Sequence, residues 1–326
     1  MRKAILLLIV LLGGINQAWS ACTASLSNTA PSLGASVTSF VLNSTEQGVT
    51  TNLILQCDSA LSLLTNDYVT LTLSGASNIV TNRAAMKRTD DLAVTDLIPL
   101  KLCGANNCPA NSEVTSTNTG YTWNSSMLLT LLGSKRYTLP LYLRTVTGQT
   151  VSAGPYQAIL NLNVYYSICA VGTILTGCSS LQSGNLPLTL TVNMTVTNDC
   201  TAISAPNLNF GSAPLAKNFP TLSGSVGVTC TKGYAYTVGI SNGSNPSGNV
   251  RQMASGTNRL SYEIYKGTTT SRWGAVGAER WASAASSAVS TDGLLRTYNF
   301  TAQVLPGQNT PPGGTYSDTL LVDLAF

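Results

Sequence analysis

The chain has 326 residues, of which only 9 % are charged, with a formal net charge of +4, eight cysteines and no histidine. Its few lysines and arginines are scattered, which argues against a nucleic-acid surface, where basic groups cluster on one face. Without histidine or a Cys-x-x-Cys pair there is no usual metal ligand set and no His-based general base. Neither a metal site nor a cofactor is expected, and the chain is not read as an enzyme.

Met1-Arg2-Lys3, the apolar residues 4–12 and Ala18-Trp19-Ser20 follow the order of a secretory signal peptide, residues 1–20, cleaved before Ala21. The apolar run is shorter than the roughly 20 residues that span a bilayer, so an anchor is not expected. About 300 residues remain, enough for two domains. They are rich in Thr, Ser, Asn and Gly and poor in helix formers, which favours strands and turns.

In order, Cys22 and Cys57 bracket the first strands, and residues 68–73, 97–102, 136–143 and 156–167 follow as short alternating runs. The same sequence of features returns downstream: Cys200 and Cys230, then residues 234–240, 260–265, 296–304 and 316–326. Gly154-Pro155-Tyr156 answers Gly314-Thr315-Tyr316. Each match is weak alone, but their common order points to a tandem duplication. Six or so short strands per half, separated by turn residues, predict an all-β chain of two immunoglobulin-like antiparallel sandwiches, with a Greek-key barrel as the alternative.

The halves end differently. Leu186, Leu188, Leu190, Val192 and Met194 fall on every second position, the pattern of a strand with one buried face. This strand is expected to close a first domain, residues 21–194. In residues 195–326, Leu320, Val322, Leu324 and Phe326 alternate in the same way, and no further strand follows. The second sandwich is therefore expected to lack its last strand and to expose an edge. In an exported chain the cysteines read as disulfides; spacing suggests Cys22–Cys57, Cys103–Cys108, Cys169–Cys178 and Cys200–Cys230, with the connectivity left open.

Asn198-Asp199-Cys200, Asn209-Phe210-Gly211, Arg251-Gln252-Met253, Trp273-Gly274 and Gly314-Thr315-Tyr316-Ser317-Asp318 resemble the spore coat protein U domain over residues 195–326. The first half is a diverged relative that keeps the first cysteine pair and the Gly-x-Tyr strand but has no Trp-Gly or Asn-Phe-Gly. Two such domains in tandem look like the tip adhesin of archaic chaperone–usher pili. The resemblance implies a periplasmic chaperone, an outer-membrane usher and the donor strand of the next pilus subunit as partners, with Leu320, Val322, Leu324 and Phe326 as the acceptor edge. It also implies export through the periplasm to the cell surface. The mature chain would start Ala21-Cys22 with no donor extension, which places the expected subunit at the fibre end, the pilus tip.

By strand alternation, three loops then share the distal end. They are residues 59–66 with Leu61, Leu63 and Leu64, residues 103–134 with Met127 and Leu128, and residues 169–178 with Val171, Ile174 and Leu175. Loops are normally polar, so these are read as hydrophobic fingers that grip a surface or host ligand and promote biofilm formation. The bland reading is that they fold back onto the core, with residues 127–132 as a strand. The rival function is a lectin-type adhesin with a pocket of Trp123, Tyr121, Asn118 and Asn124; a coat or fibre protein without adhesive role is the third reading.

Overall fold

The computed structural model describes residues 22–57, 66–133, 136–173 and 177–326; the signal-peptide reading lies outside them. The first half carries β1 (Cys22–Leu26), β2 (Val37–Thr38), β3 (Gly48–Cys57), β4 (Tyr68–Ala76), β5 (Ile79–Val80), β6 (Arg83–Arg88) and β7 (Leu97–Cys103). It continues with β8 (Glu113–Val114), β9 (Tyr121–Asn124), β10 (Leu132–Gly133), β11 (Arg136–Thr145), β12 (Gly154–Thr173) and β13 (Gly177–Thr197). Among the described residues, the short helices α1 (Ser39–Ser44) and α2 (Ser125–Leu131) interrupt them.

The second half carries β14 (Cys200–Ser204), β15 (Leu222–Cys230), β16 (Thr237–Ile240), β17 (Arg251–Ser255) and β18 (Asn258–Lys266). After these come β19 (Trp281–Ala282), β20 (Ala288–Val289), β21 (Leu295–Val304) and β22 (Val322–Ala325).

The fold is all-β and is written twice. In the first half β1-β3-β11-β7 form one layer, β9-β4-β12-β13-β2 the other, and β6 pairs with both β7 and β12. In the second half β14-β15-β21-β18-β17 form one layer and β19-β16-β22 the other. The cysteine pairs open both: Cys22 faces Cys57 across β1–β3, and Cys200 faces Cys230 across β14–β15. All four disulfides suggested by spacing are formed. Alternation drives each layer onto its own core. Leu53, Leu55, Leu139, Leu141 and Leu143 are buried in the first, and Val226, Val228, Tyr298, Phe300 and Ala302 in the second.

β12 and β13 are 20 and 21 residues long, against about 5–6 for an ordinary strand. At about 3.3 Å per residue they make a ribbon of roughly 65 Å. β4 pairs with β12 only from Ala76 to Tyr68, opposite Leu160 to Ser167, so the ribbon runs on past the last β4 partner. At its other end β13 stays in the first sandwich through Thr197, beyond the boundary expected at residue 194, because Val196 still alternates into the first core.

Two residues then separate the sandwiches. Asp199 is held by Thr231, whose N–H reaches the Asp199 carbonyl at 2.8 Å and whose Oγ1 accepts from the Asp199 N–H at 2.9 Å. Beside it, Lys232 of the second domain donates to Asp96 of the first at 2.5 Å. The Asp96 carboxylate also accepts from the N–H and the Oγ of Ser152, both at 2.9 Å.

Candidate functional site

The two sandwiches differ at one strand. In the first, β12 is flanked by β4 on one side and by β13 on the other, and β13 also runs parallel to β2 at Val196–Val37. Leu160, Leu162 and Val164 are consequently no more than 1 % exposed. In the second, β22 pairs with β16 in the matching register: Val322 faces Ile240 as Leu162 faces Leu73, and Leu324 faces Val238 as Val164 faces Leu71. Among the described residues no strand pairs with the other edge of β22. Leu320, Val322 and Leu324 are therefore only half-buried, and Phe326 is 74 % exposed with its ring stacked on Tyr234.

The missing strand leaves a groove of about 560 Å³ beside residues 316–322. Leu208, Phe210, Val226, Ile264, Phe300 and Leu320 line it, so its floor is the core of the domain. In the first half the equivalent space is filled by Leu190, Val192 and Met194, each at most 2 % exposed. An unpaired edge above an apolar groove binds an extended strand: the backbone supplies hydrogen bonds and the groove takes alternate side chains.

Polar groups hold the groove's rim. Asp318 accepts from the Tyr262 hydroxyl at 2.7 Å and from the Ser244 N–H at 2.8 Å. Burial and the adjacent Asp318 push the Tyr262 hydroxyl far above its ordinary range. Below, the fully buried Arg251 donates to the carbonyls of Ile240, Ser241 and Trp273, each at 2.8 Å, and pairs with Glu263. Sequence reading singled out Arg251 and Asp318 as parts of a motif but assigned them no task. For Arg251 the available signal was a lone charge at the head of a short strand in a charge-poor chain.

At the other end of the first domain, strand ends gather. Tyr68 faces both Asn124 and Ser167, Cys22 faces Cys57, and Arg136 faces both Gly133 and Gln56. The segments following Cys57, Asn124 and Ser167 thus leave from one end, while Thr197 and the second domain lie at the opposite one.

Of the expected loop at residues 169–178, the described residues extend the ribbon: β12 continues to Thr173 and β13 starts at Gly177, with Cys169–Cys178 stapling the two strands. Asp67, itself buried, accepts from the Cys169 N–H at 3.0 Å and ties the ribbon's base to the start of β4. Val171 is in β12, opposite Ser180; its side chain and all of Ile174, Leu175, Leu61, Leu63 and Leu64 lie outside the described residues.

Residues 125–131 are neither loop nor strand but α2. Asn124 caps it, its side chain accepting from the Met127 N–H at 3.2 Å. The helix turns Leu128 inward to full burial, which removes it as a surface contact; Met127 is 40 % and its unforeseen neighbour Leu129 66 % exposed. The lectin pocket does not form either. Trp123 is 2 % exposed, packed edge-on against Tyr121 at 4.9 Å, and Asn118 is used up in bonds to Thr115, Gly120 and Glu113.

A tip adhesion subunit in complex with its chaperone, CsuC–CsuE from the archaic Csu pili of Acinetobacter baumannii, has the same fold. Its TM-score is 0.52 at 24 % identity, with 94 % of this chain and 100 % of that one covered. The CupB6 tip adhesin of Pseudomonas aeruginosa is a more distant likeness, at 11 % identity and TM-score 0.39 over 93 % and 94 % of the two chains. No curated protein is matched. The spore coat protein U domain model matches residues 12–163 and again residues 186–323. The chain belongs to the spore coat protein U domain family and carries that domain twice in tandem.

Proposed function

We propose that the chain is an adhesive subunit at the tip of a chaperone–usher pilus. One observation carries this reading: the same sandwich occurs twice, closed by β13 in the first copy and left open beside β22 in the second. A subunit built in this way receives a strand through residues 195–326 and presents residues 21–194 away from the fibre. The acceptor edge is Leu320, Val322, Leu324 and Phe326. By analogy with β13, the occupying strand runs antiparallel to residues 316–326. A periplasmic chaperone occupies it first and the next subunit afterwards, at the outer-membrane usher.

The distal grip consists of the ribbon tip with Val171, Ile174 and Leu175, the segment with Leu61, Leu63 and Leu64, and Met127 with Leu129. The exposed apolar faces of α2 support it, as does the stapled ribbon, since a free two-stranded ribbon is marginal in water. Each side chain seated on an apolar surface contributes about 1.5–3 kcal/mol at most, so many fibres together supply the hold. Hydrogen exchange of the full chain with and without its co-expressed chaperone tests the acceptor edge, with protection across residues 316–326 expected only in the complex. Leu63→Asp, Leu129→Asp and Ile174→Asp should abolish attachment to plastic while assembly continues. Unchanged attachment by assembled fibres would remove the adhesive part of the proposal.

A further inference from the structure

The acceptor groove is not uniformly apolar, and the duplication shows where it departs from its twin. Tyr156, Ala158 and Leu160 of β12 face Met194, Val192 and Leu190 of β13. Counting back from Val322, and with Ser317 bridging Ala254 of β17 as Gln157 pairs with Lys87 of β6, Tyr316, Asp318 and Leu320 are their counterparts, so a carboxylate stands where the closed sandwich has a fully buried alanine methyl. Asp318 is fixed in place. Oδ2 accepts from the Tyr262 hydroxyl and Oδ1 from the Ser244 N–H. Gly243, at φ +85°, approaches so closely that a Cβ there would lie 1.9 Å from Oδ2. No side chain other than hydrogen fits that position.

A carboxylate has about four acceptor sites. Asp318 lines the groove, and an entering strand with the register of β13 brings one side chain directly opposite it. Directly opposed residues have Cβ atoms about 4.5–5.5 Å apart. An aliphatic side chain there would strip water from the carboxylate and return nothing, which is the costly way to bury a charge. Resting on the strand-acceptor reading above, we infer that the donor strand of this groove carries a hydrogen-bond donor, Thr or Lys, opposite Asp318, between apolar residues opposite Tyr316 and Leu320. Asp318 is then the residue that selects the donor.

The test uses synthetic peptides with the sequence of residues 186–196, carrying Val, Thr or Lys at the position of Val192. They are titrated onto the full chain, with binding read by hydrogen-exchange protection of residues 316–326. The Thr and Lys peptides are expected to bind at least tenfold tighter than the Val peptide. In Asp318→Ala the order should reverse, and in Asp318→Asn, whose one carbonyl oxygen still accepts from the Ser244 N–H while its amide donates to the Tyr262 hydroxyl, the Lys peptide should lose its advantage while the Thr peptide keeps it. Equal or tighter binding of the Val peptide to the unaltered chain would overturn the selection by Asp318 and leave the acceptor groove standing. Failure of every peptide to protect residues 316–326 would overturn the strand-acceptor reading itself.

Discussion

Replacing Arg251 by Met tests what keeps an open sandwich folded. The Arg251 guanidinium is 0 % exposed and satisfies the carbonyls of Ile240, Ser241 and Trp273 as well as Glu263. Ile240 ends β16, the only described strand that pairs with β22, so the bonds pin the base of the acceptor edge. Met fills much of the volume but donates nothing. Three orphaned carbonyls cost roughly 1 kcal/mol each at the low end of the range, and Glu263 loses one of its two cationic partners, for a total of about 4 kcal/mol. Glu263 keeps Arg272 at 2.7 Å, which holds the total below that for a bare buried charge. In a domain of this size about 4 kcal/mol corresponds to a fall in Tm of roughly 15 °C. Calorimetry of the full chain should show one transition lowered by that amount and the transition of the first core unmoved. Arg251→Lys should restore less than half, since an ammonium lacks the planar fork that reaches several carbonyls at once. A shift below about 3 °C, or equal shifts in both transitions, would refute the pinning role on the same scale.

Leu190→Ala, in the buried closing strand, should cost about 2–5 kcal/mol, whereas the half-buried Leu320→Ala should cost clearly less until a strand fills the groove; equal costs by denaturant unfolding would contradict an open second sandwich. Removing the staple with Cys169→Ser and Cys178→Ser, nine residues apart, gives up roughly 2–3 kcal/mol of loop-closure constraint. Amides of residues 168–173 should then exchange faster while the β4–β12 ladder stays protected, and an unchanged tip would show the staple to be idle. At the junction, burial pushes the Asp96 carboxyl up, but the Lys232 ammonium and the Ser152 donors outweigh it and hold it below its ordinary value. A depressed carboxyl stabilises above its unfolded value of about 3.9 and loses that contribution as pH falls through the folded value. The domains should therefore stay fixed at neutral pH and loosen only below about pH 4, while Lys232→Ala loosens them throughout. Small-angle scattering of the full chain would read both, and a pH-independent shape in both proteins would show that Lys232 does not tie the domains.

Much of the fold was legible in the chain itself. Strand alternation has a period of two, so Leu190, Val192 and Met194 declare a buried face without reference to anything distant. The repeated cysteine pairs and the Gly-x-Tyr strands declare the duplication. The fingers were less legible. Alternating and clustered apolar residues at 127–132 fit a loop or a strand, but the Asn124 cap wound them into a helix and divided Leu128 from Leu129.

The strands thus followed from local pattern, because alternation is encoded in residues close together in sequence, and the tandem repeat followed from the return of the same features in the same order. The tertiary structure alone decided that Trp123 fills a core, that Arg251 holds three carbonyls, that Asp318 faces the groove and that Lys232 reaches Asp96. Burial and partnership depend on what another part of the chain places against a side chain, and the partners of Arg251, Asp318 and Lys232 lie from 10 to 136 residues away. No run of neighbouring residues records them.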